Sequence, residues 1–133
     1  MRTRLRSLAV VLTILLVGTS GCQRLEHEGT YPMKMGEIQG IQISAPRGDQ
    51  KVTVDVSASP APIDVYVVLE DNRAAVTDKL HGYKEPDAGH ILASKKKVDT
   101  GTLETTIPAG KAFSVILAGA TKKTDVKVKI KGQ

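Results

Sequence analysis

The sequence predicts an all-β domain, one antiparallel sandwich of two sheets with about seven strands, over residues 38–133. Three observations predict it. Seven apolar segments, some alternating with period two and some apolar throughout, are separated by turns rich in Gly, Pro and Asp. The apolar residues are mostly Val, Ile and Leu, branched side chains that suit a pleated surface. Only one stretch, residues 73–80, has room for a helix, whereas a parallel sheet needs a crossover between each pair of strands.

The first predicted strand is residues 38–44, with Ile41 and Ile43 on one face. The stretch Ala45-Pro46-Arg47-Gly48-Asp49 turns the chain. Residues 51–57 then alternate, with Val52, Val54 and Val56 facing inward against Lys51, Thr53, Asp55 and Ser57. That pattern belongs to a strand with one wet face. Pro60 and Pro62 break it. Residues 63–70 are the most apolar segment after residue 21. Ile63, Val65, Val67 and Leu69 form one face, and Tyr66 and Val68 add a second apolar face, which marks a central strand.

Residues 71–90 form an irregular region. Two helical turns over 73–80 are expected, capped by Asp71 or Asn72. Residues 91–94 make a short strand leading into Lys95-Lys96-Lys97. After the turn Asp99-Thr100-Gly101, the strand at 103–107 alternates. Residues 112–118 are apolar on both faces and form a second central strand. The last strand, 125–131, points Val126, Val128 and Ile130 inward and Lys127, Lys129 and Lys131 outward.

Ahead of this domain stands a leader. Arg2, Arg4 and Arg6 precede ten apolar residues, Leu8 to Val17, and then Gly18-Thr19-Ser20-Gly21. A cationic head, a short apolar core and small residues before a cut make an export signal. A membrane-spanning helix needs roughly 20 apolar residues, so ten do not anchor the chain. The arginines are not adjacent, which excludes a twin-arginine signal. The net charge of +5 includes these three arginines and falls to +2 once they leave. A basic balance therefore gives no reason to expect nucleic acid as a partner. Four aromatic residues and no tryptophan also argue against a stacking platform for bases.

Ser20-Gly21-Cys22 resembles the lipobox of bacterial lipoproteins, in which the cysteine sulfur takes a diacylglyceryl group. Cys22 is the only cysteine of the chain, so no internal disulfide is open to it. Thr19 departs from the aliphatic residue usual at that place. Ordinary cleavage after Ser20 is the alternative. The resemblance implies residues 1–21 as a signal peptide, Cys22 as the lipidated N-terminus, and the membrane as a partner through that lipid. It places the protein on an envelope membrane surface facing the periplasm or exterior. Residues 22–37, polar and carrying Gly29 and Pro32, then read as a flexible tether, with His27 a solvated part of it.

The spread of Asp64 to Val68, Ile91-Leu92, Leu103 to Pro108 and Phe113 to Ala118 resembles small jelly-roll-like sandwiches. The nearest are the bacterial pre-peptidase C-terminal domains and GOLD-type domains. That resemblance implies an accessory, non-catalytic domain. Some relatives bind calcium through acidic loops, and no such ligand set is matched here.

Two groups of residues are candidates for binding. The first is the 71–90 loop with Asp71, Asp78, His81, Tyr83, Glu85, Asp87 and His90. Imidazoles and carboxylates together hold zinc through three or four ligands, and His81, His90 and Asp87 are the candidates for that. The nine-residue spacing of the histidines matches no metal motif, and solvated loop residues are the competing reading. The second is a basic face made by Lys127, Lys129 and Lys131, with Lys95 to Lys97 and Lys122-Lys123, facing phospholipid head groups or an acidic polymer. Its competing reading is an edge guard against strand pairing. The His-Glu-x-x-His, Gly-x-Ser-x-Gly and phosphate-loop motifs do not occur, and no cofactor is expected. The function expected is a lipid-anchored, non-catalytic envelope module that presents its sandwich to another envelope protein or polymer. The alternative is a metal- or ligand-dependent sensor or enzyme using the 71–90 loop.

Overall fold

The computed structural model describes residues 25–133. Eight strands run in the order β1 (Glu26–Met33), β2 (Gln39–Ile43), β3 (Gln50–Ser59), β4 (Ile63–Leu69), β5 (Ala93–Val98), β6 (Thr100–Ile107), β7 (Phe113–Ala118) and β8 (Thr124–Gly132). One helix, α1 (Glu70–His81), and a 3-10 turn at Ala88–His90 lie between β4 and β5. All pairings are antiparallel. Sheet A has the order β1-β8-β3-β6 and sheet B the order β2-β7-β4-β5. Eight strands interleaved between two sheets in this way make a jelly roll.

The expected tether is corrected here. Residues 26–33 are a full strand, β1, paired with β8 from Glu26↔Lys131 to Met33↔Thr124. The alternation is weak in the sequence because three of the four inward positions are His27, Gly29 and Tyr31, and only the last, Met33, is a fully buried apolar residue. His27 is not solvated tether: its Nε2 lies 2.6 Å from the Tyr31 hydroxyl, and the two rings stack. Pro32 is tolerated because β1 is an edge strand, paired on one side only. Among the described residues the count is therefore eight strands, and the strands begin well before residue 38.

The inner faces of the two sheets meet in one core. Sheet A contributes Met33, Val52, Val54, Leu103, Val126, Val128 and Ile130, and sheet B contributes Ile41, Val65, Val67, Phe113, Val115 and Leu117. The outer face of sheet B is covered as well. There Tyr66, Val68 and Ile116 pack against Val76 of α1, with Ile38, Leu80 and Ile91 at the margin. This second cluster explains why β4 and β7 are apolar on both faces.

The helix begins earlier than the sequence suggests. Leu69 occupies the cap position and no side chain caps it, so neither Asp71 nor Asn72 plays that part. Glu70 and Asp71 in the first turn and Lys79 and His81 in the last complement the helix dipole. At the far end, Lys84 N–H donates to the Lys79 carbonyl at 2.8 Å and Tyr83 N–H to the Leu80 carbonyl at 3.0 Å. This is a Schellman closure. It places Tyr83, not a glycine, at φ 56°.

Candidate functional site

The outer face of sheet A is the exposed sheet face of the domain. Its chemistry follows from register. Across the four strands one row reads Thr30, Lys127, Ser57 and Thr100. The next row, two residues along, reads Glu28, Lys129, Asp55 and Thr102. A third brings Glu26, Lys131, Thr53 and Glu104 together. The first two rows line a concavity of about 490 Å³.

The expected basic face is thus corrected. Lys127, Lys129 and Lys131 do share one outward face, but carboxylates stand among them. Lys129 lies directly between Glu28 and Asp55, and Lys131 has Glu26 opposite. The edge-guard reading also fails for these three, since β8 is held between β1 and β3. It suits Lys95 to Lys97 instead, which lie on the edge strand β5. Lys122 and Lys123 sit in the β7–β8 loop, outside the concavity.

Within the concavity the lysines differ. Lys127 faces hydroxyls on both sides, Thr30 and Ser57, whereas Lys129 faces carboxylates on both sides. Asp55 is held in place by Thr102, whose hydroxyl donates to Oδ1 at 2.7 Å. Among the described residues, neither Lys127 nor Lys129 has a carboxylate oxygen within ion-pair distance. No aromatic ring lines the site.

The 71–90 residues are dispersed. Asp71 reaches Lys111 at 3.7 Å, and Asp78 lies exposed on α1. His81 ends that helix, and Tyr83 beyond it is 94% exposed. Glu85 pairs with Lys96. Asp87 stands between Lys79 at 3.9 Å and His90 at 3.8 Å. Only Asp87 and His90 of the three zinc candidates come together. Among the described residues no group of three or more His, Cys, Asp or Glu side chains is placed to hold a metal ion. The segment is a helix and a short strap over sheet B, not an open loop. Beneath it, burial pushes the Tyr66 hydroxyl up to about 12, assisted by the carboxylates of Asp64 and Glu85.

Cys22 lies outside the described residues. Among the described residues, no helix is long and apolar enough to cross a membrane.

Sequence reasoning missed the contribution of β1, and with it the acidic half of this face. One signal pointed to it: Glu26-x-Glu28 matches the spacing of Lys129-x-Lys131, as paired strands of opposite charge do.

No family model matches the chain, and no curated protein matches it. Among solved structures, the crystal structure of Aeromonas hydrophila PliG, a periplasmic lysozyme inhibitor of g-type lysozyme, is similar at a TM-score of 0.49 and 9% identity. The alignment covers 85% of this chain and 89% of that one. A likeness at this level carries no statement about activity.

Proposed function

We propose that this chain is an exported, lipid-anchored, non-catalytic module of the cell envelope, and that the outer face of sheet A is its binding surface. The leader and the Ser20-Gly21-Cys22 run support the anchor. The observation that carries the binding role is the contrast between the two outer faces. Sheet B is roofed by α1, with Ile38 and Ile91 at its margin, while sheet A carries an open concavity lined by charged and hydroxyl groups. A concave site with a few convergent polar groups is the usual form of a small-ligand site. The other envelope component is met by that face, and the lipid on Cys22 keeps the domain at the membrane.

Intact mass of the protein extracted from membranes tests the anchor. The expected chain begins at Cys22 and carries the added mass of a diacylglyceryl group. A chain starting at Gly21 with a free thiol, recovered from the soluble fraction, overturns it.

A further inference from the structure

We propose that the sheet A concavity is a site for an acidic sugar, a saccharide unit bearing one carboxylate, with that carboxylate on Lys127. The proposal rests on the reading of sheet A as the binding surface and names its ligand class.

The charge pattern selects the ligand. The concavity holds two ammonium groups and two carboxylates, so its sum is neutral. A continuous polyanion, whose charges run along the whole site, meets Glu28 and Asp55 as well as the lysines. A ligand with a single anionic group meets only what suits it. Lys127 is the place for that group, because its directly opposed neighbours are Thr30 and Ser57 and neither competes for its charge. Hydrogen bonds between an ammonium and a carboxylate are about twice as strong as neutral ones.

The remaining lining selects the rest of the molecule. Glu28 and Asp55 accept hydrogen bonds, Lys129 donates them, and the hydroxyls of Thr30, Ser57 and Thr100 do both. Groups of this kind match a body covered in hydroxyls. The absence of a lining ring removes stacking as a means of holding a neutral pyranose, which leaves the carboxylate as the main source of affinity. The volume of about 490 Å³ lies within the usual range for small-ligand sites.

The test uses a matched pair. N-acetylmuramic acid and N-acetylglucosamine differ by a lactyl ether that carries the carboxylate. Saturation-transfer NMR on the protein purified from its membranes is expected to show binding of the first and at least tenfold weaker binding of the second. Lys127→Met should weaken N-acetylmuramic acid at least fivefold, and Lys127→Gln, which keeps a polar tip, should do the same. Lys123→Met, outside the concavity, should leave binding unchanged. Thermal melting of each variant confirms that it is folded. No binding of the acid sugar, equal binding of both sugars, or unaltered binding by folded Lys127→Met or Lys127→Gln overturns the proposal. So does displacement by inorganic phosphate at equal concentration, which reveals a general anion site. A failure here with the lipid mass intact on Cys22 removes the ligand and leaves the anchor standing.

Discussion

Ser114, wholly buried in β7, donates its hydroxyl to Oε1 of Glu70, the first residue of α1, at 2.7 Å. Arg73 Nε donates to the other oxygen, Oε2, at 2.8 Å. This carboxylate therefore ties the start of the helix to the sheet beneath it. The Ser114 hydrogen bond, aided by Arg73 and opposed by partial desolvation, holds the Glu70 carboxyl below its ordinary value of 4.5. A group whose pKa is lowered by folding stabilises the native state above its unfolded pKa and loses that contribution as pH falls through the folded value. Urea unfolding should show the effect. Ser114→Ala should cost about 1 kcal/mol at pH 7 and less at pH 3. Glu70→Gln should flatten the loss of stability below pH 4.5 relative to the parent protein.

Tyr83 closes the helix in a left-handed conformation that a side chain occupies at a cost of about 1–2 kcal/mol. Its ring makes little contact, being 94% exposed. Tyr83→Gly should therefore stabilise the protein by up to about 1 kcal/mol, the relief exceeding the entropy that glycine adds to the unfolded chain. Tyr83→Val should destabilise it, because a β-branched residue fits that region worse. Paired urea curves for the two variants check the sign of each.

The two groove lysines should answer differently to charge reversal. Lys129→Glu places a third carboxylate directly between Glu28 and Asp55, and like charges opposed across strands are destabilising. The expected loss is about 1 kcal/mol in low salt, shrinking as salt screens it. Lys127→Glu, facing Thr30 and Ser57, should change stability by less than about half of that. Melting temperatures at two salt concentrations distinguish the pair. Equal losses would mean that the register-based neutralisation of this face is wrong.

Much of the fold was legible because the core strands carry their own burial pattern. Val52, Val54 and Val56 alternate with polar partners, and the apolar run from Phe113 to Ala118 signals cover on both sides. The strand β1 was not legible, because three of its four inward positions are a histidine, a glycine and a tyrosine, with the histidine and tyrosine held by each other and the strand held by β8. The start of the helix is displaced from the expected one, since no side chain caps it and its first residue, Glu70, is held from β7 by Ser114, far away in sequence. The site was half legible. Lys127, Lys129 and Lys131 could be assigned to one face from period two alone. Their neighbours could not, because pairing across strands depends on topology, and only the register brings Glu28 and Asp55 to either side of Lys129.

The early start of β1 leaves three residues between Cys22 and Glu26. Four residue steps span at most about 14 Å. With acyl chains on its sulfur, Cys22 would moor the jelly roll with almost no slack, the beginning of β1 and the end of β8 alongside the lipid. The opposite crest, where the Met35 turn and the loop after β7 are tied by the Gly36–Ala120 hydrogen bond, lies across the length of β1. Lengthening the leash by inserted residues would then change how far the module reaches without touching its architecture.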